Sequence, residues 1–235
     1  MSKRSCLLAA AVVFGLPLAF AQTPASANHA GSIPSGVHLD VVLEKLDHGT
    51  WKDVSPLTVL QQGEQIRFRL SPSFPGYLYA YNRGSDGTTE MLFPLASSTA
   101  SNKMDPGASY HVPSGSAQSY TVEGKPGFDV VYFMVSPVSL GERKFPTSYD
   151  DFQVRTMVPR CKEDQPVNSC LDPRAGAHSV TMSAPGLTQK DGAQKQEANT
   201  LKARELRLST TGETSRVETL EGQGLFVYEF RLAHK

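Results

Sequence analysis

A complete β-hairpin is predicted by residues 76–94, which read GYLYAYNRGSDGTTEMLFP. Three tyrosines alternate with aliphatic residues, and a period of two sends alternate side chains to opposite faces of a strand. The next six residues, NRGSDG, have the composition of a turn. A second run of strand composition ends at Pro94, which has no backbone N–H for a sheet ladder.

Other short strands separated by turn signals extend from this hairpin in both directions. The sequence predicts strands at residues 37–46, 65–70, 109–112, 119–122, 128–136 and 225–232. The run FDVVYFMVS at 128–136 is the most apolar of the chain after the signal peptide, which is typical of a central strand buried on both faces. This spacing predicts an all-β fold, an antiparallel β-sandwich of immunoglobulin-like or Greek-key type.

The strand pattern is interrupted after residue 137. Residues 137–175 contain five prolines and two cysteines, and a strongly β segment returns only near the C-terminus. We therefore expect residues 37–235 to form a single β-sandwich domain. Residues 138–203 would be a long, partly irregular, loop-rich insertion before the C-terminal strand.

The N-terminus has the pattern of a secretory signal peptide. Lys3 and Arg4 precede an apolar run over residues 6–20, and Ala19-Phe20-Ala21 has the small-x-small form of a cleavage site. The run is shorter than the roughly 20 residues of a membrane-spanning helix, although retention as an anchor is the alternative. We expect cleavage after Ala21, a flexible lead-in at residues 22–36, and a periplasmic or secreted protein that does not span the membrane.

Cys161 and Cys170 are the two cysteines that remain after cleavage. An even pair in an exported chain predicts a disulfide. It would close a ten-residue loop, worth about 2.5 kcal/mol on the chain-entropy model. The alternative, a redox or metal site, fits the spacing less well, because neither CxxC nor a zinc-knuckle spacing occurs.

Composition argues against several classes of function. The 23 basic and 23 acidic side chains balance, and loss of Lys3 and Arg4 leaves a net charge of −2, without the basic patch of a nucleic-acid binder. No G-x-S-x-G occurs, the six histidines are scattered, and no phosphate-binding glycine loop is present. We therefore expect no catalytic residues, no metal and no cofactor.

Two groups of residues are candidates for a ligand or partner surface. The first is aromatic: Tyr77, Tyr79 and Tyr81 on one strand face, together with Trp51, would suit a sugar or a peptide. The second is the pair Arg67 and Arg69, which could bind an anion. The alternatives are ordinary sandwich packing for the tyrosines and cross-strand acidic partners for the arginines.

Several motifs resemble the bacterial domain of unknown function 4384 family. They include Gln62-Gly63-Glu64, Gly76-Tyr77-Leu78-Tyr79, Leu92-Phe93-Pro94, Val112-Pro113 and Pro126-Gly127, in that order. The resemblance covers roughly residues 57–137, with Glu64 where the family usually has Asp. It implies an exported β-sandwich module, often found beside caspase-like or kinase domains and without established catalytic residues.

The sequence thus favours a non-catalytic exported β-sandwich that binds another envelope or secreted protein. One alternative is a carbohydrate- or small-ligand-binding module that uses an aromatic face. The second alternative is an unrecognised hydrolase, which would need a histidine–acid or serine–histidine contact in a cleft.

Overall fold

A computed structural model describes the greater part of residues 36–235. The predicted signal peptide and nearly all of the predicted lead-in lie outside the described residues, as does most of the predicted insertion. The described residues are 36–95, 101–114, 119–137, 139, 159–162, 164–166, 169–179, 206–219 and 226–235.

The described chain is nearly all β and contains fourteen strands. They are β1 His38–Asp47, β2 Thr50–Val54, β3 Val59–Leu60, β4 Gln65–Pro72, β5 Gly76–Arg83, β6 Thr89–Phe93, β7 Lys103–Met104, β8 Tyr110–Val112, β9 Tyr120–Thr121, β10 Gly127–Ser136, β11 Gly176–Ser179, β12 Leu206–Thr211, β13 Thr214–Thr219 and β14 Phe226–His234.

These strands form two sheets. The first sheet has the order β12-β13-β1-β4-β8, with β2 also paired to β1 and β9 to β4. The second sheet has the order β11-β14-β10-β5-β6, with β3 paired to β14 and β7 to β5. Every pairing is antiparallel except that of β3 with β14, so the predicted antiparallel β-sandwich is confirmed.

The core lies between the two sheets. Phe68 of the first sheet packs edge-on against Phe133 and Phe230 of the second, with ring centroids 5.0 and 5.2 Å apart. One buried cluster extends from Leu39 on β1 to Leu232 on β14. Both sheets draw strands from the two ends of the described chain, so neither sheet is built from one continuous segment.

The predicted hairpin of residues 76–94 is confirmed as β5 and β6. Its strands pair from Ala80 with Phe93 to Arg83 with Thr89, and the second strand ends immediately before Pro94. Gly76 is the first residue of β5. A Cβ at this position would lie 2.7 Å from Cγ1 of Val135 on the neighbouring strand. A glycine is therefore required by close packing at this position.

The predicted central and closing strands are also confirmed. β10 lies between β14 and β5, and nine of its ten residues are buried. On β14, the four residues predicted to share one face, Phe226, Tyr228, Phe230 and Leu232, all belong to the core cluster. This strand continues to His234, two residues further than predicted.

The described part of the predicted insertion is more ordered than a set of loops. The predicted disulfide between Cys161 and Cys170 is present, with Cα atoms 5.6 Å apart. Nearby, β11 pairs with β14 and so adds a strand to the second sheet. Cys170 packs with Val59 and Phe128 in a second, smaller buried cluster, so this segment is fixed to the sandwich.

Candidate ligand-binding pocket

Among the described residues, a site with the capacity to bind a ligand is a pocket at one end of the sandwich, which we call the end pocket. It has a volume of about 330 Å³ and opens between β4 and β9 of the first sheet and β5, β6 and β10 of the second. Its lining residues are Leu60, Ile66, Phe68, Asn82, Glu90, Leu92, Ser119, Tyr120, Thr121, Val122, Glu123, Asp129, Val131, Leu232 and His234.

The end pocket exists because polar side chains occupy core-facing positions at the ends of three strands. Asn82 continues the inward face of β5 after Leu78 and Ala80, and it pairs across the sheet with Val131. Asp129 begins the inward face of β10, opposite Leu232. Elsewhere these faces are filled by aliphatic and aromatic side chains, whose interdigitation closes the core.

Asp129 and His234 meet at this end of the second sheet. His234 Nε2 lies 3.3 Å from Oδ1 of Asp129, and the same oxygen accepts a hydrogen bond from the backbone N–H of Ser85 at 2.7 Å. His234 is only 2% exposed. The pair therefore joins the beginning of β10 to the end of β14 and the hairpin turn.

Tyr120 forms part of the opposite wall. Its hydroxyl donates a hydrogen bond to the carbonyl oxygen of Leu92 at 3.2 Å. Burial, and then the negative charge of Glu90, raise the pKa of Tyr120 far above its usual range. The phenol consequently remains a protonated donor at physiological pH, committed to a backbone carbonyl.

Acidic residues surround the opening. Glu90 and Glu123 are exposed, and Asp129 is partly buried behind them. The floor below is apolar and includes Phe68, Val131 and Leu232, all buried. The end pocket thus combines an apolar base with a negatively charged rim.

The predicted arginines lie elsewhere, on the outer face of the first sheet. Arg67 and Arg69 both donate to the carboxylate of Glu44, and Arg69 also donates to Asp53. Glu44 is almost fully buried, with its side chain 8% exposed. The arginines therefore have the cross-strand acidic partners of the alternative interpretation, and their charge is largely compensated.

Trp51 belongs to the same surface. The guanidinium carbon of Arg67 lies 4.2 Å from the centroid of its indole ring, a cation–π contact. His111 approaches from β8, with Nε2 3.5 Å from Glu44. The structure thus brings Trp51 to Arg67 and Arg69, and not to the tyrosines.

The three predicted tyrosines lie on the outer face of the second sheet. Tyr79 and Tyr81 are only 3% and 8% exposed, and Tyr77 is partly buried. A stacking platform requires accessible ring faces, and two of these three rings are not accessible. Because Trp51 lies on the other sheet, the four predicted aromatic residues do not form one surface.

No residue predicted for a ligand surface lines the end pocket. Three polar residues of the lining could have been found from the sequence. Asn82, Asp129 and His234 each fall at an inward position of an alternating strand. Polar residues in such positions break the hydrophobic pattern, and buried polar groups often mark functional sites. The pairing that brings the three together is not visible from any one strand.

The described part of the chain has neither a metal-binding cluster nor a membrane-spanning helix. Across residues 36–95 and the later described ranges, no group of three or more His, Cys, Asp or Glu side chains could hold a metal ion. Among the same residues, no helix has the length and hydropathy needed to cross a bilayer.

Fold and pocket together define a β-sandwich with a polar-rimmed cavity at one end. Residues 59–139 match the model of a family described as Domain of unknown function (DUF4384), which confirms the resemblance seen in the sequence. No curated protein and no solved structure gives a significant match to the chain.

The end pocket lies mostly within the matched segment. Of its lining residues, only Leu232 and His234 fall outside residues 59–139. Glu64, near the start of the matched segment, accepts hydrogen bonds from the backbone N–H of Gln61 and from Lys45, each at 2.9 Å. Its side chain therefore closes the turn before β4.

Proposed function

We propose that this protein is an exported, non-catalytic β-sandwich module that binds another protein of the cell envelope through the end pocket. The observation that supports this proposal is the pocket itself, in which polar side chains take core-facing positions on rigid strands. Concave sites with an apolar base and a few fixed polar groups are the usual form of binding sites. Placement on strands keeps such a site preorganised.

Export is supported by two independent features. The N-terminal residues have the basic, apolar and small-residue pattern of a signal peptide. The disulfide between Cys161 and Cys170 is of the kind that persists in oxidising compartments. Fractionation of cells that express the full chain, followed by mass measurement of its N-terminus, tests this part. Gln22 is the expected first residue, and a cytoplasmic, uncleaved chain would contradict export.

A hydrolase is the second candidate, because the end pocket contains the histidine–acid contact that such an enzyme would need. Among the described residues, however, the side chain of His234 bonds only to Asp129. A nucleophile must lie within hydrogen-bond reach of its base, and no described hydroxyl or thiol group has that relationship to His234. The geometry therefore favours binding over catalysis.

The aromatic-face alternative has weaker support. It needs exposed, adjacent rings, whereas Tyr79 and Tyr81 are buried and Trp51 lies on the other sheet. Sugar binding at that face would require the rings of Tyr79 and Tyr81 to become accessible.

The proposal is tested by blocking the end pocket without changing its charge. Thr121 is exposed on β9 and lines the opening, so Thr121→Trp should fill it. Thr210→Trp makes the same change at an exposed position on β12, at the opposite edge of the first sheet. Envelope proteins captured by the wild type and by Thr210→Trp, but lost with Thr121→Trp, would support the proposal. Capture unaffected by Thr121→Trp would contradict it.

A further inference from the structure

The chemistry of the end pocket indicates which group of a partner it accepts. Three carboxylate side chains line it, those of Glu90, Glu123 and Asp129. No Lys or Arg is among the described lining residues, and the single histidine, His234, already contacts Asp129. The electrostatic potential at the opening therefore favours a cation.

Hydrogen-bonding capacity points in the same direction. The Oδ1 atom of Asn82 is fully buried and has no hydrogen-bond partner within the described part of the chain. Asp129 uses only Oδ1 for the contacts to Ser85 and His234, which leaves Oδ2 available among the described residues. The side chain of Asp129 is 18% exposed, so its Oδ2 would stabilise a ligand that supplies N–H donors. Oδ1 of Asn82 would accept from such a ligand only after its amide group reoriented, which would remove the cost of a buried acceptor without a donor.

The lining of the end pocket fits an organic cation better than a metal ion. No set of His, Cys, Asp and Glu among the described residues converges closely enough to hold a metal, whereas the cavity of about 330 Å³ has room for a larger group. Phe68, Val131 and Leu232 provide an apolar base. An ammonium or guanidinium group on an aliphatic stem satisfies both the acidic rim and this base.

We infer that the end pocket binds a lysine or arginine side chain presented by the partner protein. The inference rests on the proposed function, because it names the part of the partner that enters the same site. A free alkylamine offers the same chemistry from a different source, and the test separates the two.

The first experiment measures binding to the purified full chain by titration calorimetry. The probes are an acetylated, amidated Gly-Lys-Gly peptide, the same peptide with norleucine in place of lysine, and n-hexylamine. The lysine peptide should bind more tightly than the norleucine peptide, which keeps the stem and lacks the charge. Equal binding of the two peptides would overturn the inference, as would binding of hexylamine without binding of the lysine peptide.

The second experiment removes charge from the rim at constant side-chain size. In Glu90→Gln/Glu123→Gln both changes fall on exposed residues whose side chains form no hydrogen bond with the described residues. We expect the affinity of this variant for the lysine peptide to fall about tenfold. Glu213→Gln/Asp164→Asn removes the same charge from two exposed positions that do not line the end pocket and should leave affinity unchanged. Equal affinity in the rim variant and in this control would overturn the inference.

The same variants separate this inference from the proposed function. If Thr121→Trp abolishes partner capture while Glu90→Gln/Glu123→Gln leaves it intact, the end pocket binds a partner but not through a cation, and only the inference fails. If the lysine peptide binds in a rim-dependent way while partner capture does not respond to Thr121→Trp, the cation chemistry holds and the proposed function fails.

Discussion

The guanidinium group of Arg174 donates two hydrogen bonds to the buried carboxylate of Asp172, from Nε to Oδ1 at 3.0 Å and from Nη2 to Oδ2 at 2.7 Å. Bonds from the side chain of Arg174, followed by backbone N–H bonds, hold the pKa of Asp172 below its ordinary value of 3.8, although burial acts in the opposite direction. The backbone N–H of Asp172 bonds to the carbonyl of Leu57. The guanidinium carbon of Arg174 also lies 5.2 Å from the centroid of the Phe128 ring on β10, so both residues of the pair contact the sandwich and anchor the disulfide-bonded segment to it.

Asp172→Asn should lower the free energy of unfolding by about 2 kcal/mol at neutral pH, because it removes charge-assisted hydrogen bonds to a buried group. The folded pKa is depressed, so the unfolded chain binds more protons in acid. The stabilisation is present above the ordinary carboxyl pKa and is lost as the pH falls through the folded value. Urea unfolding over a pH series should therefore show wild type and variant converging as the pH falls below 3.8, the ordinary pKa of the carboxyl group.

Asp164→Asn is the control for this prediction, because Asp164 is exposed and lies in the same segment. It should match the wild type over the whole pH series. If Asp172→Asn were as stable as the wild type at neutral pH, the anchoring role of the pair would be wrong.

Tyr228→Phe should leave stability unchanged or increase the free energy of unfolding by about 1 kcal/mol. Tyr228 is fully buried, and its ring stacks on that of Phe133 with the centroids 5.3 Å apart. Its hydroxyl has no hydrogen-bond partner among the described residues. Removing an unsatisfied buried hydroxyl eliminates a desolvation cost and preserves the packing of the ring. Chemical denaturation of both proteins measures the difference.

Tyr120→Phe is the matched comparison, because the hydroxyl of Tyr120 donates to the carbonyl of Leu92. Its removal should lower the free energy of unfolding by about 1 kcal/mol. Similar losses in the two variants would show that the hydroxyl of Tyr228 does have a partner.

Gly76→Ala should destabilise the fold by about 1–3 kcal/mol, the usual cost of overpacking. The added Cβ would lie 2.7 Å from Cγ1 of Val135 and 3.2 Å from the carbonyl oxygen of Ser136. In the Gly76→Ala variant, Val135→Ala should lower the free energy of unfolding by less than it does in the wild type, because it removes one of the two clashes.

Gly87→Ala is the control for this double-mutant comparison of Gly76→Ala with Val135→Ala. Gly87 has φ +85 and open space around it, so its substitution should cost about 1 kcal/mol through backbone strain alone and should be additive with Val135→Ala. Additivity of Gly76→Ala with Val135→Ala would contradict the proposed clash.

Glu44→Gln should lower the pKa of His111 further. Burial, followed by the positive charge of Arg67, already holds the pKa of His111 below its ordinary value of 6.5, while Glu44 acts in the opposite direction. Loss of the Glu44 charge removes this opposing effect and leaves Arg67 and Arg69 without their shared partner. An NMR titration of His111 measures the shift. Glu213→Gln, an exposed change elsewhere, should leave the titration where it is in the wild type.

The strands found from the sequence are those with a strong alternating or apolar pattern, such as β4, β5, β10 and β14. β13 is one of the strands that the sequence did not predict, as are β2 and β7. β13 reads TSRVET, and two of its three inward positions are Ser215 and Thr219. Small polar residues fill these inward positions without raising the local hydrophobicity, so β13 has no periodic signal, although it pairs with β1 along five residues.

The sequence alone determined the strongly patterned strands, the main hairpin and the disulfide, because alternation, turn composition and cysteine spacing are local properties of the chain. Only the tertiary structure decided which strands are neighbours and which side chains meet. Asn82, Asp129 and His234 are far apart in sequence and meet because β10 lies between β5 and β14. Burial of Tyr79 and Tyr81, and pairing of Arg67 and Arg69 with Glu44, likewise depend on long-range packing that no single segment encodes.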